Sequence, residues 1–169
     1  DEIRHAFSLV KIVFVANGDY QMTFRDIVNF HKFQERVAIS DFSNDLEHLA
    51  YAAADFILMP SRFEPCGLPQ MIAPLYGTLP VAHDTGGIRD TITHLDVDKN
   101  TGNGFLFETF DAEGLFWAVE QAMAFYSLPQ KVKTNQIRRI MTESQVTFTH
   151  ANTARQYIKL YEKMLQRPL

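Results

Sequence analysis

The chain has 169 residues, of which 46% are apolar and 21% charged, and a formal net charge of −4. This composition is typical of one globular domain with a substantial core and excludes a disordered chain. The short apolar runs, the absence of a signal-peptide pattern and the acidic balance exclude a membrane-spanning helix and argue against nucleic acid as the main partner.

The first half of the chain alternates between predicted strands and helices. An apolar segment predicts a strand over 7–16, which ends at a turn cluster that contains Gly18. Helical spacing of aromatic and aliphatic residues then predicts a helix over 23–34. The following predicted elements are a strand at 36–40, a helix at 45–53 capped by Ser43 or Asn44, and a strand at 56–59.

The second half continues the same alternation. The predicted elements are a helix at 67–76, a strand at 79–82, a helix at 86–92, a long polar loop at 93–103, a strand at 104–107, and helices at 111–126, 129–142 and 151–165. Alternation of this kind predicts a parallel sheet with helices on both faces. We therefore expect one α/β domain over 1–169, with 151–169 as a closing C-terminal helix.

Charge and the rarer residue types add further expectations. Residues 127–169 hold 8 basic and 2 acidic residues, so this basic tail is either a docking surface for another domain or a solvated helical face. The single cysteine, Cys66, cannot form an internal disulfide, which indicates a reducing compartment such as the cytoplasm. The six histidines lack ligand spacing, so no metal site is predicted, and His83 is interpreted as a structural imidazole.

The most informative segment is SRFEPCGLPQ at 61–70. It follows a predicted buried strand and precedes a predicted helix, and open α/β sheets bind ligands at the carboxyl ends of their strands. The carboxylate of Glu64 therefore lies where a ligand is expected. The amides of Cys66, Gly67 and Leu68 open the next helix and are suited to an anion or a sugar oxygen.

A second turn follows the next strand and carries Thr85, Gly86 and Gly87. Two glycines allow close approach of the backbone to a ligand, and their amides can form an anion-binding nest. The alternative is a glycine turn that local geometry alone requires. The turn at 85–87 and the Glu64 segment follow adjacent predicted strands, and this position favours ligand binding over a purely structural role for the turn.

These segments, with YGTLPVAHDTGGIRDT at 76–91 and TGNGFLF at 101–107, resemble the C-terminal half of bacterial and plant glycogen and starch synthases. The resemblance covers nearly the whole chain. It implies a Rossmann-like domain of a two-domain retaining glycosyltransferase of the GT-B architecture. It also implies ADP-glucose as donor, an α-1,4-glucan as acceptor, no metal or other cofactor, and a location in the cytoplasm, or in a plastid in a plant.

The resemblance assigns roles to individual residues. Glu64 contacts the transferred glucose, and its carboxylate stabilises an oxocarbenium-like transition state. Cys66 lines the sugar pocket, and Thr85 with its glycines lies against the diphosphate or the glucose. Phe42 matches the aromatic residue that stacks on adenine, usually a tyrosine, although packing of this ring in the core is an open alternative. Gly18 joins the donor-binding candidates.

One departure from the wider group of two-domain glycosyltransferases bears on this interpretation. Many two-domain glycosyltransferases carry a second glutamate eight positions after the first, where this chain has Ile72. Glycogen and starch synthases also lack it, so its absence supports the resemblance to them.

In that family a first strand, a basic phosphate-binding pair and an N-terminal domain precede this region, so the chain is expected to be one half of the enzyme and inactive alone. Another nucleotide-sugar transferase, or a non-catalytic nucleotide- or glucan-binding module, is the alternative.

Overall fold

The computed structural model describes residues 10–168. The strands are β1 (Ile12–Val15), β2 (Val37–Ser40), β3 (Phe56–Met59), β4 (Leu79–His83) and β5 (Phe105–Phe107). The helices are α1 (Gln21–Phe30), α2 (Asn44–Ala53), α3 (Pro69–Ile72), α4 (Gly86–Thr91), α5 (Ala112–Tyr126), α6 (Gln130–Thr147) and α7 (His150–Leu165), with a 3-10 helix at Ala73–Tyr76. The α/β prediction is confirmed, and positions 7–9 of the predicted first strand lie outside the described residues.

All strand pairs are parallel, but they form two sheets rather than the single sheet predicted. β1 pairs with β2, and β4 lies between β3 and β5. The register aligns Met59 with Ala82 and His83 with Phe107, so the carboxyl ends of β3, β4 and β5 meet at one edge. Within residues 10–168, no strand of one sheet pairs with a strand of the other, so the two sheets are separate.

The three-stranded sheet is covered on both faces, as a buried parallel sheet requires. All five residues of β4 are buried. Val81 packs in one apolar cluster that includes residues of α5 and α6, whereas the next residue, Ala82, packs in a second cluster with Ile88 and Ile92. Because successive strand side chains point to opposite faces, these two clusters confirm helical layers on both sides.

Turn chemistry shifts two of the predicted helices. The helix predicted over 67–76 is one α-helical turn followed by a 3-10 helix that contains Pro74, and Gly77 ends it with φ of 89°. The helix predicted over 23–34 ends at Phe30 because Lys32 adopts φ of 57° and the Phe33 N–H donates to the Val28 carbonyl at 2.9 Å. This pair of features is a Schellman motif, which any residue tolerant of positive φ can close.

The C-terminal helices also differ from the sequence prediction. α6 continues to Thr147, five residues beyond the predicted end, and Ser144 is only 3% exposed on its buried face. α7 begins after Thr149, whose hydroxyl accepts from the Asn152 N–H at 3.1 Å, and none of its residues is buried. Within residues 10–168, no helix combines the length and apolar character needed to cross a membrane.

The apolar cluster beneath α6 supplies a stability prediction. Ile140 is fully buried in that cluster, and Val146 on the same helix is 67% exposed. We expect Ile140→Ala to lower the free energy of unfolding by ~2–5 kcal/mol because it removes apolar contacts and leaves a cavity. Val146→Ala is the matched control and should change it by less than ~0.5 kcal/mol. Denaturant unfolding of the two variants measures both values; equal effects would contradict this packing.

Candidate active site

Two loops meet at the shared carboxyl edge of β3 and β4. We call residues 60–68 the glutamate loop and residues 84–87 the glycine turn. The Gly87 N–H donates to the Glu64 carbonyl oxygen at 2.9 Å, which joins the two loops directly. The structure therefore brings together the residues that the sequence predicted on two separate segments.

The glycines of the turn are required by this close approach. Gly86 has φ of 47°, and a Cβ at this position would collide with the Glu64 carbonyl oxygen. A Cβ on Gly87 would collide with the backbone of Cys66. Gly67, on the glutamate loop, also has positive φ, at 77°. Only glycine adopts these conformations without strain and leaves the backbones in contact.

Several backbone amides of the two loops make no hydrogen bond to another group among residues 10–168. Among residues 10–168, no acceptor lies within hydrogen-bond reach of the N–H groups of Cys66, Gly67, Leu68 and Gly86. Such groups require water or a ligand as partner. Gly87 differs, because its N–H is already occupied by the Glu64 carbonyl. The helices that follow have four and six residues, so their dipoles add less than the sequence suggested.

The Glu64 side chain belongs to the same loop as three of these amides and is half-buried. The Ser61 hydroxyl donates to its Oε2 atom over a long 3.4 Å. Cys66 and Leu68 beside it are exposed, with Leu68 62% accessible. With one weak donor among residues 10–168 and partial exposure, this carboxylate can accept hydrogen bonds from hydroxyl groups of a ligand.

His83 holds the base of the site in place. Its ring is 7% exposed, with Nδ1 2.8 Å from the Ser61 carbonyl oxygen and Nε2 3.3 Å from the Glu108 carbonyl oxygen. The ring therefore links the loop after β3 to the segment after β5. The interpretation of His83 as a hydrogen-bonded structural imidazole is confirmed.

An ion pair joins Arg89, on α4, to Asp84, the first residue of the glycine turn. Arg89 Nε lies 2.9 Å from Asp84 Oδ1, and its Nη2 donates to the Asp84 carbonyl. This hydrogen bond to Asp84 raises the pKa of Arg89 above its usual value. Within residues 10–168, no group of three or more His, Cys, Asp or Glu side chains is placed to hold a metal ion.

Phe42 and Gly18 lie in a second group, at the carboxyl end of the β1–β2 pair. The Phe42 N–H donates to the Asn17 side-chain oxygen at 3.0 Å, which connects the loops after the two strands. The Phe42 ring is 44% exposed and belongs to neither buried cluster, so it does not pack in the core. The Phe42 backbone is bonded to Asn17 rather than to the glutamate loop, and the role of Phe42 toward a nucleotide stays a prediction.

Replacement of Phe42 tests that role. If the ring stacks on a base, Phe42→Ala should weaken ADP binding to the full-length protein by ~1–3 kcal/mol, and Phe42→Tyr should preserve it. Calorimetric titration with ADP measures both. Because the ring is half-exposed, neither change should shift thermal unfolding much; a large loss of stability with unchanged ADP affinity would remove Phe42 from the site.

Sequence reasoning missed Gln70 and Asn17. Gln70 is fully buried and hydrogen-bonds to the backbone of the glutamate loop. A glutamine three residues after a glycine, in a segment read as a helix, gives little signal of such a contact. Asn17 was included only in a turn cluster, although its side chain joins two loops.

Comparisons with known proteins agree with this geometry. Residues 2–139 match the family described as glycosyl transferases group 1. The chain is 34% identical over 160 residues to a glycogen synthase of Desulforudis audaxviator, covering 94% of this chain and 31% of that protein. It is 38% identical over 159 residues to a glycogen synthase of Kosmotoga olearia, covering 92% and 32%. The chain thus spans about a third of the length of these relatives.

Solved structures show the same fold. The catalytic domain of starch synthase IV from Arabidopsis thaliana, bound to ADP and acarbose, is 32% identical with a TM-score of 0.78, over 98% of this chain and 35% of that one. A glycosyltransferase from Rickettsia africae is 19% identical with a TM-score of 0.70, over 97% of this chain and 43% of that one, a likeness of fold alone. With the family match over most of its length, the chain belongs to the group 1 glycosyl transferases.

Proposed function

We propose that this chain is the nucleotide-sugar-binding half of a glycogen or starch synthase. The full-length protein would transfer glucose from ADP-glucose, with retention, to the non-reducing end of an α-1,4-glucan. One observation carries the proposal: two hydrogen-bonded loops at a sheet edge carry the Glu64 carboxylate and four backbone amides that have no hydrogen-bond partner among residues 10–168. This combination suits a ligand that has both an anionic part and a sugar.

The amides and the carboxylate fit opposite charges in the reaction. When the bond between glucose C1 and the diphosphate breaks, negative charge grows on the diphosphate and positive charge on the sugar ring. Amides of Gly86 and of the Cys66–Leu68 segment can donate to the diphosphate or to sugar hydroxyls, and Glu64 can stabilise the positive ring. The oxygen of the glucan hydroxyl then bonds to C1 on the face that the diphosphate leaves, the hydroxyl proton passes to the departing diphosphate oxygen, and ADP is released.

The relatives and one solved structure support this choice of donor and acceptor. The relatives at 34–38% identity are glycogen synthases, and the starch synthase IV structure holds ADP and acarbose. Because the chain spans about a third of such proteins, we assign the acceptor site and the opposite wall of the cleft to the rest of the full-length protein. We propose no cofactor besides the nucleotide sugar, and a cytoplasmic location.

A donor comparison tests the proposal. The full-length protein is incubated with glycogen and either ADP-glucose or UDP-glucose, each labelled in the glucose, and incorporation is measured. We expect incorporation from ADP-glucose, and release of the label by an α-1,4-specific glucosidase. Preference for UDP-glucose would indicate a different transferase of this family. Binding of ADP or glucan without any transfer would indicate a non-catalytic module and contradict the proposal.

A further inference from the structure

We propose that Gln70 is a positioning residue that fixes the glutamate loop against the glycine turn; this inference rests on the proposed function. Gln70 is fully buried, and its Nε2 atom lies 2.7 Å from the Cys66 carbonyl oxygen and 3.1 Å from the Gly67 carbonyl oxygen. The side-chain amide therefore holds the part of the loop whose own N–H groups face no acceptor among residues 10–168.

The same nitrogen connects this loop to the glycine turn. Nε2 lies 3.3 Å from the Thr91 hydroxyl oxygen, and that hydroxyl donates to the Gly87 carbonyl oxygen at 2.7 Å. A chain of hydrogen bonds thus runs from the Cys66 carbonyl through Gln70 and Thr91 to Gly87. It supplements the direct bond between the Gly87 N–H and Glu64. Any shift of Gln70 is transmitted to both loops.

The other end of the amide carries a cost in stability. Gln70 Oε1 is buried and finds no hydrogen-bond donor among residues 10–168. A buried acceptor without a donor is destabilising. The reverse orientation of the amide would be worse, because it would place two oxygens 2.7 Å apart at Cys66. Buried unpaired groups of this kind need an explanation, and positioning of the two loops supplies one.

Gly67 is fitted to Gln70 as well. A Cβ at Gly67 would collide with the side-chain amide of Gln70, and its positive φ already excludes most side chains. The loop is therefore shaped around the buried glutamine. Catalysis is sensitive to this shape, because a displacement of ~1 Å in a positioning element can cost ~10²-fold in rate.

The test uses the full-length protein with ADP-glucose and glycogen. Gln70→Met keeps the length of the side chain and removes its hydrogen bonds. Gln136→Met is the matched control, since Gln136 is also a buried glutamine, 5% exposed, but lies on α6 and donates to Asn100. We expect Gln70→Met to lower kcat by ~10–10²-fold, on the scale of a misplaced loop, and Gln136→Met to leave it within twofold.

Two further readouts separate positioning from folding. Hydrogen exchange of Gln70→Met should become faster in segments 61–68 and 84–91 and stay unchanged elsewhere. Thr91→Val, which removes the linking hydroxyl, should lower kcat less than Gln70→Met, and the double variant should resemble Gln70→Met alone. Thr91→Val also tests the link if Gln70→Met does not fold, and normal kcat in it would then overturn the proposal.

The outcomes also distinguish this inference from the proposed function. Normal kcat in folded Gln70→Met, or an equal loss in Gln136→Met, would overturn the positioning role while transfer by the wild type stands. A wild-type protein that transfers glucose from neither nucleotide sugar would overturn the proposed function and this inference together.

Discussion

Replacement of Glu64 by glutamine in the full-length protein is expected to lower kcat for glucosyl transfer by ~10²–10³-fold. This is the scale of losing one preorganised electrostatic group. Glutamine keeps the size of the side chain and can still accept from the Ser61 hydroxyl, which lies 3.4 Å from Oε2. It cannot supply the negative charge that stabilises a positive sugar ring.

Steady-state kinetics with ADP-glucose separates the two roles that Glu64 could have. A loss in kcat with little change in KM indicates an interaction made in the transition state. Glu113→Gln is the matched control, because Glu113 is exposed on the first turn of α5, and it should have normal kinetics. Near-normal kcat with a raised KM in Glu64→Gln would instead assign the carboxylate to substrate binding.

The second large effect is expected for Gly86→Ala. Alanine at φ of 47° is strained, and its Cβ would collide with the Glu64 carbonyl oxygen. We expect a loss of ~1–3 kcal/mol in the free energy of unfolding from the backbone strain. The glutamate loop must also move away from the turn, which should lower kcat by ~10²-fold or more.

Denaturant unfolding and transfer kinetics on the same variant measure both effects. Gly18→Ala is the control for stability, because a Cβ there meets nothing within 4 Å and the substitution should leave unfolding unchanged. A Gly86→Ala protein with wild-type stability and wild-type kcat would show that the two loops are not held together as described.

Much of the fold follows from local patterns in the sequence. The apolar runs at β3 and β4, each followed by turn residues, predicted strands whose bounds the structure reproduces to within one residue. Ser43 or Asn44 was predicted to cap α2, and the structure selects Ser43, whose hydroxyl accepts from the Leu46 N–H at 3.2 Å. Such signals are local, so one sequence is enough to find them. The two turns at the candidate site were found for the same reason.

The parts that sequence analysis missed depend on tertiary contacts. The division into two sheets depends on which strands pair, and the apolar pattern of a strand does not specify its neighbour. The end of α1 depends on Lys32 adopting positive φ, which favours glycine and is seldom expected of lysine. The contact of Gln70 with Thr91 joins residues 21 positions apart, so neither residue signals it alone.

The central claim is that the glutamate loop and the glycine turn bind the donor. A crystal structure of the full-length protein with ADP tests it most directly. We predict phosphate oxygens within hydrogen-bond distance of unpaired amides, either Gly86 or the Cys66–Leu68 segment, and the adenine against the Phe42 ring. ADP bound elsewhere on the protein, with both loops in contact only with water, would contradict the account.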